Sequence, residues 1–238
     1  MNYHLIAQVS FVALTLVCLV FIYKGLNFGL RNFEAKRRKS ILTKFLLFLG
    51  LWILLVTIAS LTGFSSDFDS LPPRPALFVI IPVIVLIFIM RSPATKEILS
   101  DLPPRYLLNI QVFRVPVEIL LWMLLLAGVT PIQMTFEGKN FDILVGLTAP
   151  LVAYIAFGNG RFNKKLAIGW NIFGLALLAN ILAIAVLSMP TPLRVFMNEP
   201  ANTEVGMFPV IFLPSILVPI AYYFHIFSLK QLLMKSDR

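Results

Sequence analysis

Residues 5–23 read LIAQVSFVALTLVCLVFIY, and residues 24–40 read KGLNFGLRNFEAKRRKS. The first stretch has no charge, and its length is close to the roughly 20 residues that cross a bilayer. The second carries Lys24, Arg31, Lys36, Arg37, Arg38 and Lys39. An apolar run followed by dense positive charge reads as a membrane helix that enters from outside and ends in a cytoplasmic loop. It does not read as a signal peptide. Met1–His4 has no Lys or Arg, the positive cluster follows the apolar run, and Ala-x-Ala spacing is missing at its end.

The rest of the chain repeats this alternation. Seven apolar segments are expected, at Leu5–Tyr23, Ile41–Leu61, Ala76–Met90, Leu107–Gly128, Asp142–Phe157, Leu166–Leu187 and Met207–Phe227. The third and fifth are short and read equally as re-entrant hairpins. With seven spans, loops 24–40, 91–106, 158–165 and the C-terminal tail share one side and hold fifteen of the 20 basic residues. The other side holds Arg74, Lys139 and Arg194, and Lys44 and Arg114 lie within spans. Five or six spans scatter this bias. The expected fold is therefore all-α, a polytopic helix bundle with seven transmembrane helices, the N-terminus outside and the C-terminus cytoplasmic. The bilayer is its first partner, and the texture points to a prokaryotic plasma membrane.

Composition agrees. The 238 residues are 59% hydrophobic and 13% charged, with net charge +9 and mean hydropathy +0.89. Soluble domains are about 25% charged. Seven spans use some 140 residues at about 20 each, so residues 1–238 read as one integral-membrane domain with no soluble domain. The single cysteine, Cys18, excludes an intramolecular disulfide. Pro-rich turns at 71–75, 102–105 and 189–192 close the loops. Ser92-Pro93 opens a short interfacial helix that ends before Pro103. Pro209, Pro214 and Pro219 predict an irregular seventh span. Gly146, Ala149 and Ala153 on span five, and Ala176, Ala179 and Ala183 on span six, read as close helix contacts.

Ionisable groups inside a span are functional candidates by default. Span four carries two, Arg114 and Glu118, at i and i+4, on one face with Gln111. Helix rise places Asn171 of span six near the depth of Gln111, Asn180 near that of Glu118, and Tyr222 and His225 of span seven within about two turns of the cytoplasmic face. Spans four, six and seven thus predict an inner polar cluster of Gln111, Arg114, Asn171, Tyr222 and His225, with Glu118 and Asn180 above. Asn171 and Asn180 point oppositely, so only one faces it squarely. The plainer reading is a self-neutralised Arg114–Glu118 pair with asparagines as interhelical glue. The functional one is a cavity for a small solute, an anionic group or a proton. A second candidate is the outer loop, where Glu137, Asn140 and Asp142 read as an ordered turn with Asp142 capping span five, or as a lid.

No metal or other cofactor is expected, because His4 and His225 fall on opposite sides of the membrane. Phosphate-loop and nucleophile-elbow motifs are missing, and no lysine lies deep in span seven. The basic charge is spread over membrane-proximal loops, which excludes a nucleic-acid footprint. The texture is similar to small prokaryotic multi-pass proteins, a likeness that implies no activity. Three functions compete: transport or binding of a small solute or proton through the cluster; a non-catalytic partner subunit, assembly factor or sensor working through a membrane protein partner or homo-oligomer; and an intramembrane enzyme acting on lipid with Glu118 or His225 as acid/base.

Overall fold

The computed structural model describes residues 2–234. It is 75% helix with no strands among the described residues. Helices α1 (Tyr3–Gly29), α2 (Ala35–Leu61) and α3 (Arg74–Arg91) lead to a short α4 (Pro93–Asp101). Helix α5 (Pro104–Asn109) passes through a 3-10 turn at Ile110–Phe113 into α6 (Arg114–Leu126). Then come α7 (Ile143–Phe157), α8 (Lys164–Leu187) and α9 (Val218–Met234), the last preceded by a π turn at Leu213–Leu217.

Six of these helical stretches are long and apolar enough to cross a membrane: α1, α2, α3, α5–α6, α8 and the π turn with α9. Large apolar side chains cover their outer faces. On α2, Leu47, Leu51 and Leu61 are 62%, 66% and 70% exposed. Such a surface suits lipid or another apolar helix rather than water, and with six such helices the chain is a membrane-integral helical protein. α5–α6 and α9 form the centre, each 61% buried, whereas α2 at 6% is peripheral.

Helix ends follow local chemistry. Asn2 caps α1 by accepting from the Leu5 N–H at 3.1 Å, and Asn163 caps α8 through the Leu166 N–H at 3.1 Å. Pro93 opens α4 as expected, but Ser92 makes no side-chain cap. Pro116 has no N–H to give to Val112, and the chain winds as a 3-10 turn up to Phe113 before α6 begins. Of the three prolines of the last segment, Pro209 precedes the helix, Pro214 lies in the π turn and Pro219 in the first turn of α9. That crowding starts the helix at Leu213 instead of Met207.

The fifth segment departs from a simple span. α7 has 15 residues, about 22 Å at 1.5 Å each, against a hydrocarbon core of about 30 Å. Its Gly146 packs on Val115, which lies midway along Pro104–Leu126. Around and below that point Val145, Ala149 and Ala153 form one cluster with Leu108 and Trp170. α7 therefore begins half-way down the bundle. The other half is filled by the irregular segment 127–142, with Met134, Thr135, Asn140 and Asp142 all buried. Irregular backbone is tolerated at such depth only where protein covers it and its polar groups are paired. Here Asn140 N–H and Gly138 N–H donate to Thr135 O at 3.2 and 2.9 Å, Thr135 Oγ1 donates to Ile132 O at 2.9 Å, and Asn180 Nδ2 donates to Lys139 O at 2.9 Å.

Candidate functional site

The start of α6, the start of α7, α8 and α9 converge on one buried polar cluster. Arg114 opens α6 and is 2% exposed. Its Nε donates to Asp142 Oδ2 at 3.0 Å, and Nη2 completes the ion pair with the same oxygen. Its Nη1 lies 3.1 Å from His225 Nε2. A guanidinium can only donate, so Nε2 accepts, the ring is neutral, and the proton sits on Nδ1. Nδ1 then donates to Asn171 Oδ1 at 2.9 Å. Asn171 Nδ2 donates onward to Ser228 Oγ at 2.9 Å and to Ala167 O at 2.7 Å. Gly174 gives the imidazole its space: a Cβ there collides with the ring. Trp170 packs beside the ring at 5.3 Å between centroids, its Nε1 donating to Thr148 Oγ1 at 3.0 Å.

Glu118 continues the cluster one turn along α6. Asn140 Nδ2 donates to its Oε1 at 2.6 Å and to Met134 O at 3.0 Å, while Asn140 Oδ1 accepts from the Asp142 N–H at 3.1 Å. Connected contacts thus run from Glu118 through Asn140, Asp142, Arg114, His225 and Asn171 to Ser228. Glu118 Oε2, Asp142 Oδ1 and Gln111 Oε1 are buried without a hydrogen-bond partner. Burial of unpaired oxygens costs free energy, and these three are the cluster's open acceptor positions.

The structure brings Arg114, Asn171 and His225 into contact, as helix depth predicts, and adds Glu118, Asn140 and Asp142. Arg114 takes its ion pair from Asp142, not from Glu118 on its own helix. Asp142 makes no capping hydrogen bond, because its carboxylate is turned to Arg114. Gln111 sits beside the cluster, with Nε2 on Ala221 O at 2.9 Å. Tyr222 faces α3, where its hydroxyl donates to Val79 O at 3.3 Å. Asn180 points to the loop backbone at Lys139, and Glu137 accepts from Trp122 Nε1 at 2.7 Å near the surface. Sequence reasoning missed Ser228 and Gln231, although His225, Ser228 and Gln231 recur every three residues along α9 and all are buried. Among the described residues no group of three His, Cys, Asp or Glu is placed to hold a metal ion.

A family model described as domain of unknown function DUF8737 matches residues 72–233. The chain belongs to this family. The matched region runs from α3 into α9 and contains the whole polar cluster, while α1 and α2 lie outside it. No curated protein and no solved structure matches the chain.

Proposed function

We propose that the protein is a seven-segment membrane protein of a prokaryotic plasma membrane, and that its polar cluster binds and passes a proton or a small solute. The N-terminus lies outside and the basic end faces the cytoplasm. The charge bias supports this orientation: cytoplasmic loops and the helix ends beside them collect Lys and Arg, and residues 24–40, 91–106 and 158–165 carry twelve of the 20 basic residues. The short α7 and segment 127–142 together make the fifth segment and bring the total to seven.

One observation carries the functional reading. The buried cluster holds two carboxyl groups, Glu118 and Asp142, against one guanidinium, with His225 neutral by its hydrogen bonds. The α7 N-terminus beside Asp142 adds about +0.5 of a charge, which offsets only part of the excess. Inside a membrane the remaining charge calls for one exchangeable proton or one cationic solute. Purified protein in liposomes loaded with a pH-sensitive dye tests this: an imposed proton gradient collapses faster than in empty liposomes, and Glu118→Gln removes the difference. Equal collapse with wild type, Glu118→Gln and empty liposomes rules proton passage out. Topology is checked in a Cys18→Ser background. A membrane-impermeant maleimide labels Asp69→Cys on intact cells and Ser100→Cys only after permeabilisation.

A second reading, a non-catalytic partner subunit, draws on α2. Only Val56, Ala59 and Ser60 of its 27 residues are buried, which leaves a whole helix face for another membrane helix. A stoichiometric companion in detergent pull-downs supports that reading.

A further inference from the structure

An apolar cavity lies away from the charged cluster. It is a cleft of about 270 Å³ between α2 and the rest of the bundle. Its walls are α1, α2, α3 and α9, and its floor is α4. α2 is pinned at two levels and stands off between them. At the basic end Arg37 donates to both oxygens of Glu97 at 2.9 and 3.0 Å, and Arg38 Nη2 donates to Asn27 Oδ1 at 2.8 Å. Higher up, Trp52 Nε1 donates to Ser215 O and Ser60 Oγ to Gly206 O, both at 3.0 Å. The first buried residue of α2 is Val56. Below it, Phe45, Phe48, Leu49 and Trp52 line the cleft without filling it.

The wall offers a guest nothing polar. Its five polar side chains each donate to a backbone carbonyl: Trp52 to Ser215 O, Thr95 to Ile89 O, Tyr106 to Phe21 O, Ser215 to Ile211 O and Tyr223 to Pro82 O. A polar solute entering there loses its hydration without compensation, whereas an empty apolar space forfeits dispersion contacts. Hydrocarbon fits. A single water needs about 10–15 Å³ of such space, so a cleft of about 270 Å³ has room for a stretch of acyl chain.

Charge says what carries the hydrocarbon. Lys44, Arg91 and Lys96 each adjoin or closely follow a lining residue (Phe45, Ile89 and Thr95), and all three are exposed. Among the described residues none of the three makes a hydrogen bond or ion pair. Lys44 lies on an otherwise apolar stretch of α2, from which its ammonium reaches the interface by snorkelling. A second copy of this chain would bring its own Lys44, Arg91 and Lys96 against these three, and like charge disfavours it. We propose that the cleft between α2 and α3 is a binding site for one acyl chain of an anionic phospholipid, whose phosphate meets Lys44, Arg91 and Lys96.

The test uses full-length protein in nanodiscs of mixed phosphatidylglycerol and phosphatidylcholine. Native mass spectrometry after release into mild detergent is expected to show one retained phosphatidylglycerol per chain. A phosphatidylglycerol with a diazirine-bearing acyl chain is expected to label residues 45–52 and 81–89 above the lipid-facing surface of α8. Each Lys or Arg changed to Gln among the three lowers retention about fivefold, and Val85→Trp, which fills the cleft, lowers both retention and labelling. Equal retention of phosphatidylcholine, labelling spread evenly over α8, no effect of Val85→Trp in a protein that melts as wild type, or a retained second copy in place of lipid each overturns the proposal. The labelling map is read on wild type, so a variant that fails to fold does not remove the test.

Discussion

Arg114→Met is the most informative single change, because two partners compete for the arginine. In the structure its ion pair is with Asp142, from the segment preceding α7, and its third nitrogen serves His225. Removing the guanidinium leaves Asp142 buried and unpaired, a loss of about 3–5 kcal/mol. His225 Nε2 also loses its donor, about 1–3 kcal/mol more. Asp142→Leu alone strands Arg114 and costs a similar 3–5 kcal/mol. Arg114→Met with Asp142→Leu removes both charges, and only the His225 term of about 1–3 kcal/mol remains. The two changes therefore couple favourably by several kcal/mol, whereas independent sites add to within about 0.5 kcal/mol. Arg114→Met with Glu118→Leu gives little rescue, since Asp142 stays unpaired. Thermal unfolding in one detergent at one scan rate reads this out, at about 2–4 °C per kcal/mol for a chain of this size. An Arg114→Met variant that melts as wild type, or rescue by Glu118→Leu in place of Asp142→Leu, refutes the docking of segment 127–142 onto α6.

Two further outcomes follow from the packing. Gly174→Ala pushes a methyl into the His225 ring and is expected to cost about 1–3 kcal/mol by overpacking, whereas Gly169→Ala, with open space around it, holds or raises the melting temperature. At the basic end the hydrogen bonds from Arg37 hold the Glu97 carboxyl below its ordinary range. A carboxyl lowered in the folded state stabilises above its unfolded value, about 4.3, and ceases to as pH falls through the folded one. Amide exchange in α4 is therefore expected to be faster in Glu97→Gln than in wild type from about pH 5 to 8, with the two converging in stronger acid; a difference that persists there contradicts this account.

Much of the architecture is legible in the chain because the bilayer enforces it. Apolar runs mark the position of each long helix, but α1 continues six residues past Tyr23, α2 begins six before Ile41, and the last helical stretch runs Leu213–Met234, its start delayed by Pro209 and Pro214. Helix rise also places Arg114, Asn171 and His225 at a common depth. Facing direction was harder to read. Tyr222 lies three residues from His225, about 60° around the helix, yet contacts α3 because α9 is central and has neighbours on all sides. Asn180 lies half a turn round from Asn171 and meets the segment before α7 instead.

The descent of segment 127–142 was the least legible feature, and charge explains why it occurs. Hydropathy treats a polar stretch between two apolar runs as exterior. The i, i+4 rule pairs Arg114 with Glu118, which neutralises both in one helix and leaves the segment outside. That solution gives His225 no donor and leaves Asp142 free at the mouth of α7. The structure instead lets α7 start half-way down the bundle, which brings Asp142 to Arg114 and Asn140 to Glu118. Four groups are paired where the local rule pairs two. The descent is affordable because Gly146 lets α7 approach the backbone of α6 at Val115 and because the segment satisfies its own carbonyls through Thr135 and Asn140. The missing sequence signal is therefore a sum: an arginine in mid-span, an acid at the head of a helix too short to cross, and an Asn two residues before that acid. Each is ordinary alone, and together they require the segment between them to come inside.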